Sequence, residues 1–313
     1  MNCFCSIIIP LYNKEKHIQT TIASVLAQTL QDFEIIIVND GSTDGSKNAV
    51  ETFTDQRIKV FDIENRGVSN ARNYGVEQAS SDLIVFLDAD DVWKQNHLEN
   101  LRTLFEQFPN CGLYASAYLK KDKEINIPSV FNTIPTIKNW RGIVEDYFEG
   151  CYIDSIAWTS AAMVPKIVLN ELGGFNINCD MGEDIDLWIR IALKFPVAFS
   201  NQVTAIYNLN ADNRISNSNT NLKQFIDLDS YEEAAKSNSS LKKYLDLNRF
   251  SIAIQYKLAG NKEKAAVLIN KIDLNNLNSK QRTLLKLNRT ALKLALHIKS
   301  GLHNSGILLS SFR

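Results

Sequence analysis

Two aspartates, Asp88 and Asp90, stand two residues apart at the end of the apolar run Leu83-Ile84-Val85-Phe86-Leu87. If the extended backbone of that run continues through Ala89, both carboxylates point the same way and Ala89 points back into the protein. Hard divalent cations such as Mg²⁺ or Mn²⁺ take oxygen ligands, one or two from carboxylates and the rest from water and substrate phosphates. The pair therefore suits chelation, with Asp91 facing elsewhere. A solvated acidic turn is the alternative, and the strand-like run before it and Trp93 after it argue against that reading. A second acidic cluster, Glu183-Asp184 followed by Asp186-Leu187-Trp188, opens a helical pattern over residues 183–193. The helix dipole favours acidic residues in a first turn whatever else they do. A third cluster, Asp40-Gly41-Ser42-Thr43-Asp44, fits a turn and helix N-cap as well as a binding loop.

The elements that must position these groups are legible in the first hundred residues. Residues 5–10, 33–39, 58–62 and 83–88 are each near-continuous in apolar side chains, as strands buried on both faces are. Helical patterns over 16–28, 43–53 and 68–78 lie between them. This alternation predicts an α/β fold with a mostly parallel sheet flanked by helices. Ligands collect at the carboxyl ends of such strands. The unusual polar residues fall there: Tyr12-Asn13, Asp40 to Asp44, Glu64-Asn65-Arg66-Gly67 and Asp88 to Asp91. Further on, 120–126 reads as loop, 157–164 and 203–209 as strands, and 214–221 as a linker. From about residue 220 the pattern is helical, with a hairpin around Gly260-Asn261.

The 313 residues, 45% of them apolar, are enough for a catalytic unit with a smaller appendage. The boundary is expected near residue 220, giving units 1–220 and 221–313. The net charge of −1 conceals a division: residues 241–313 carry 14 Lys and Arg against 3 Asp and Glu, and residues 1–240 carry 20 against 32. An acidic body argues against nucleic acid as its substrate. The five cysteines are scattered without metal-ligand spacing and read as reduced thiols. No run reaches the roughly 18–20 apolar residues of a membrane span, and no signal-peptide pattern opens the chain. A soluble, cytoplasmic protein is expected.

Four blocks taken together carry a resemblance. Ser6-Ile7-Ile8-Ile9-Pro10-Leu11-Tyr12-Asn13, Ile37-Val38-Asn39-Asp40-Gly41-Ser42-Thr43-Asp44, Asn65-Arg66-Gly67-Val68-Ser69-Asn70-Ala71-Arg72-Asn73 and Phe86-Leu87-Asp88-Ala89-Asp90-Asp91-Val92-Trp93 resemble, in order and spacing, glycosyltransferase family two. The similarity spans roughly residues 5–210 and implies the Rossmann-like GT-A fold with a C-terminal helical extension. It implies an inverting, metal-dependent transfer of a sugar from a nucleotide-sugar donor to a hydroxyl of a glycan or lipid-linked acceptor, as in surface polysaccharide synthesis. Pro10, Tyr12 and Asn13 would line the nucleotide pocket, Asp40 would bind the base, Arg72 would belong to the donor set, Asp88 would sit by the ribose, and Asp90 would hold Mn²⁺ or Mg²⁺ on the diphosphate. A carboxylate at Asp40 can accept from the N3–H of uracil, which cytosine lacks, so UDP donors are expected. Asp184 matches the family's general base, which an in-line displacement requires because the attacking hydroxyl must lose its proton. Gly173-Gly174-Phe175 is a further family block before that base. Where members often carry a His after the last strand, the matching place here is Asn210, with Asp212 and Arg214 as neighbours that could substitute. His17, His97, His297 and His303 match no motif position.

A sugar nucleotidyltransferase would open on a Gly-rich basic loop, whereas this loop reads Leu11-Tyr12-Asn13-Lys14-Glu15. A binding module without turnover would be expected to lack Asp90 or Asp184. Residues 282–302 form an amphipathic pattern with Arg282, Lys286, Arg289 and Lys293 opposite its leucines. Such a helix either lies in an anionic membrane interface or packs on its neighbours with the lysines in water.

Overall fold

The computed structural model describes residues 3–215, 218–304 and 310–312, so residues 216 and 217 of the expected linker and the side chain of His303 lie outside the described residues. Among the described residues ten strands form one sheet: β1 (Cys5–Leu11), β2 (Phe33–Asp40), β3 (Ile58–Ile63), β4 (Leu83–Phe86), β5 (Val92–Trp93), β6 (Leu113–Asp122), β7 (Ile125–Pro128), β8 (Arg141–Ile143), β9 (Ala162–Pro165) and β10 (Val197–Asn208). Their order is β3-β2-β1-β4-β9-β6-β10-β5, with β7 on β6 and β8 on β10. The half carrying the sequence motifs, β3-β2-β1-β4, is parallel throughout, and β6 also runs parallel to β10. Strand β9 runs antiparallel between β4 and β6.

The alternation of side chains decides how the two faces are covered. Ile8, Ile36 and Val38 enter one core, and Ile7, Ile9, Ile35 and Ile37 the other. Helices α1 (Ile18–Leu26), α2 (Ser46–Glu51) and α4 (His97–Gln107) close the second core with Ile22, Val50 and Leu101. Helices α3 (Val68–Gln78), α5 (Tyr147–Gly150), α6 (Lys166–Leu172) and α7 (Glu183–Ala192) close the first. That core continues into α8 (Glu232–Ala235) and α9 (Ser239–Ala259) through Ala235, Leu241, Tyr244 and Leu245.

Several expectations change. Strand β3 is not buried on both faces: it is the edge of the sheet, and Lys59 and Asp62 suit that exposed place. Residues 120–126 are not loop but the end of β6 and its hairpin to β7, turning at Lys123 with φ 53°. Residues 157–164 begin as a short helical turn at Thr159–Ala161 before β9. The helical hairpin is as expected but longer: α9 ends at Gly260, whose φ of 87° is left-handed, and α10 (Lys262–Ile269) starts on the Asn261 cap.

The single helix expected over 282–302 is two helices, α11 (Ser279–Lys286) and α12 (Arg289–Asn304). The first helix ends at Leu287, whose backbone is extended, and the second starts where the Asn288 side chain accepts the Ala291 N–H at 2.9 Å. Leu285 and Leu292 are buried, while Leu294, Leu296 and Ile298 are exposed. The extension is tied down by the fully buried Arg249, which pairs with Glu232, Asp229 and the buried Asp246 at 2.5, 2.9 and 3.3 Å. Among the described residues no helix is long and apolar enough to cross a membrane.

Candidate active site

The carboxyl ends of β1, β2 and β4, the turn after β3 and the start of α7 enclose a cavity of about 370 Å³. Pro10, Tyr12, Asp40, Arg72, Asp88, Asp90 and Asp184 all line it, as do Lys14, Glu183, Tyr207 and Arg214.

Asn13 is not among the lining residues. It adopts φ 52°, which asparagine tolerates, and its side-chain oxygen accepts the Thr43 N–H at 2.8 Å, so it ties the first loop to the second. Asp40, 3% exposed, accepts the backbone N–H groups of Arg66 and Gly67 at 2.8 and 2.9 Å, one on each oxygen. A carboxylate offers about four lone-pair sites, so these bonds orient Asp40 and leave it able to accept again.

The backbone does not stay extended through Ala89. Strand β4 stops at Phe86, and the Asp91 N–H donates to the Asp88 carbonyl at 3.0 Å, closing a turn. Ala89 is nonetheless buried, and Asp88 and Asp90 both reach the cavity. Asp91 turns inward: it accepts from Ser160 Oγ at 2.6 Å and the Asn208 N–H at 3.0 Å, locking the turn to β10. Burial, then the charges of Asp90 and Asp88, pushes its pKa up.

Arg72 is a buried part of the cavity wall and joins two acidic groups, donating to Asp88 at 2.7 Å and to Glu183 at 2.9 Å. Its guanidinium also lies 5.0 Å from the centre of the Phe175 ring. The expected donor-binding arginine is thus already engaged by protein groups, and it orients Asp88 rather than standing free in the cavity. Asp90 pairs with Lys14 at 2.8 Å, and the Lys14 ammonium also donates to the carbonyls of Asp212 and Asn213 at 2.6 and 3.3 Å. Local sequence marks Lys14 only as a basic residue between Tyr12 and Glu15 in an acidic body.

Asp184 lies in the first turn of α7. Burial and then the adjacent Glu183 push its pKa up to about 7, against the pull of Arg72. Arg72 pairs with Glu183 instead, and among the described residues no lysine or arginine pairs directly with Asp184. Asp186 points away from the cavity, paired with Arg190 at 2.6 Å and accepting from the Tyr231 hydroxyl at 2.5 Å. Asn210 lies outside the cavity, and its amide faces the β6–β7 hairpin. The Asp212 carboxylate is likewise held by Lys16 and His17 at 3.0 and 2.9 Å. Arg214 does line the cavity, where it lies over the Tyr207 ring and bonds its hydroxyl. His97 is a buried core residue, stacked on Trp93, hydrogen-bonded to Thr204, and pushed down to about pKa 3 by burial.

Among the described residues no three His, Cys, Asp or Glu side chains gather at one point. The Asp90 corner still has the chemistry a divalent cation needs: an all-oxygen setting that here accommodates an ammonium ion. Water and phosphate oxygens normally complete such a site.

A mostly parallel α/β sheet with acidic groups converging at its strand ends has the architecture of the GT-A fold. The family model for glycosyl transferase family 2 matches residues 6–173, more than half of the chain, and the protein belongs to that family. An uncharacterized glycosyltransferase of Rickettsia felis is 28% identical over 240 residues, covering 70% of this chain and 37% of its own length. One from Rickettsia bellii is 33% identical over 192 residues, covering 60% and 26%. The match thus spans little more than a third of these curated relatives at most. Among solved structures, S. aureus TarS 1-349 in complex with UDP-GlcNAc has a TM-score of 0.59 at 16% identity, covering 89% of this chain and 78% of TarS. The mannosyltransferase PcManGT of Pyrobaculum calidifontis, in complex with GDP-Man and Mn²⁺, has a TM-score of 0.56 at 18% identity, covering 95% and 81%. These likenesses establish the GT-A fold.

Proposed function

We propose that the protein transfers a hexose or N-acetylhexosamine from a UDP-sugar, with inversion, to a hydroxyl of a glycan or lipid-linked saccharide in surface polysaccharide synthesis. The observation that carries this reading is that one cavity is lined by Asp88 and Asp90 and also by Asp184, whose pKa is raised to about 7. Asp184 accepts the proton of the acceptor hydroxyl while that oxygen bonds the anomeric carbon, and the bond from that carbon to the diphosphate breaks on the opposite face. A pKa near 7 keeps Asp184 basic enough to take the proton at neutral pH. Asp40 receives the uracil N3–H, Pro10 and Tyr12 flank the nucleotide, and Arg72 fixes Asp88 beside the ribose. Asp90, with Asp88 beside it, would hold Mn²⁺ or Mg²⁺, which when bound supplies charge neutralisation for the departing diphosphate.

The catalytic unit is residues 1–220, with the basic helical extension 221–313 adding peripheral contact with the inner face of the cell membrane. The support is the excess of Lys and Arg after residue 240 together with the exposed Leu294, Leu296 and Ile298 of α12. The direct test is a panel of UDP-, GDP- and CDP-sugars assayed for binding and hydrolysis with and without Mn²⁺. Turnover of UDP-sugars is the expected result; a preference for GDP- or CDP-sugars would overturn the donor assignment.

A further inference from the structure

Helix α7 begins without a side-chain cap, on a glycine, and carries Glu183, Asp184 and Asp186 in its first turn. Within the turn the Asp184 carboxylate accepts the Ile185 N–H at 2.7 Å, and Glu183 pairs with Arg72 at 2.9 Å. The turn is also held by chain that follows the sheet. Residues 180–182 run beside residues 224–226: the N–H groups of Asp180 and Met181 donate to the Gln224 carbonyl at 2.7 and 3.2 Å, and Ile226 N–H donates to the Met181 carbonyl at 2.9 Å. The Gln224 N–H closes the arrangement on the Asp180 carboxylate at 3.0 Å. Gly182 permits this approach, with φ 86°, since a Cβ there would stand 2.7 Å from Ile226 Cγ2.

The second hold is on the helix itself. The Tyr231 hydroxyl donates to the buried Asp186 carboxylate at 2.5 Å. Asp186 pairs in turn with Arg190, which reaches back to the carbonyls of Leu172 and Gly174 at 2.7 and 2.8 Å. Tyr231 is 8% exposed, and a charge-assisted bond in so dry a place is strong and directional. Tyr231 does not line the cavity, whereas Asp180, Met181, Gly182 and Asp184 do.

We propose that residues 224–226 and Tyr231 form a buttress that sets the position of Asp184, which makes Tyr231 a positioning residue for sugar transfer. The inference rests on the reading of Asp184 as general base. A shift of about 1 Å in a catalytic group costs up to about 100-fold in rate, and releasing the Tyr231 end of the buttress permits such a shift while the Glu183–Arg72–Asp88 bridge stays in place.

The test uses the full chain with UDP-GlcNAc and UDP-glucose, measuring donor hydrolysis and, by calorimetry, UDP affinity in Mn²⁺. Tyr231→Phe is expected to lower kcat tenfold or more while KM for the donor and UDP affinity stay within twofold. Ile252→Val, a core substitution in α9 that breaks none of these hydrogen bonds, controls for stability: it is expected to lower Tm with kcat kept. An unchanged kcat in Tyr231→Phe overturns the proposal. So does an equal fall in kcat and UDP affinity, or an equal loss of kcat in Ile252→Val, since either marks general loosening. Asp184→Asn is measured in parallel; full activity there overturns the base assignment and the buttress role with it, whatever Tyr231→Phe does.

Discussion

Lys14 and Asp90 form an ion pair of 2.8 Å in the lining of the cavity, with side chains only 11% and 14% exposed. A divalent cation at Asp90 has to share or displace that ammonium ion, because like charges in so confined a place repel strongly. Calorimetry is expected to show UDP affinity falling at least tenfold with EDTA and with Asp90→Ala. Lys14→Met is expected to tighten binding of Mn²⁺ alone. Equal UDP affinity in wild type, EDTA and Asp90→Ala would remove the metal role.

Asp184→Asn is expected to lower transfer at least 100-fold, within the usual range for loss of a general base, with UDP affinity within twofold. The wild-type rate should rise with pH through about 7, because only the carboxylate accepts the proton and the group's pKa stands near that value. A flat profile from pH 5 to 8 would move the base elsewhere; Glu183, tied to Arg72, is the next carboxylate in the cavity.

The same group makes a prediction about stability. Asp184 holds its proton more tightly folded than unfolded, where its pKa is about 3.8. Its contribution is therefore fully present below pH 4 and lost as pH rises through about 7. Asp184→Asn should raise Tm by several degrees at pH 8 and leave it unchanged at pH 4. A variant less stable than wild type at pH 8 would contradict the burial assigned to this carboxylate.

Membrane contact is testable without truncation, which would strip Leu285 and Leu292 from their packing. Leu294→Asp with Ile298→Asp alters the two exposed apolar residues one turn apart on α12. Vesicles of phosphatidylglycerol and phosphatidylcholine should sediment the wild-type chain at low salt, release it at high salt, and fail to hold the double variant. Failure of the wild type to bind at low salt would show that α12 is a packed element only.

The sequence by itself determined the strand-helix alternation, the two-sided burial of β1 and β2, the glycine end of α9, and the carboxylates Asp40, Asp88, Asp90 and Asp184 at strand ends or a helix start. These depend on local periodicity and on residue chemistry, which short stretches of chain carry in full. The tertiary structure decided what no local pattern could: that β3 is an edge, that Lys14 meets Asp90 across 76 residues, and that Arg72 meets Glu183 across 111. It also decided that Asn13 and Asn210 serve loops rather than the cavity, and that the chain after the sheet grips the turn bearing Asp184. Side-chain periodicity states which face a residue occupies, but its partner depends on strand order and loop closure, and those are settled only when the whole sheet is assembled.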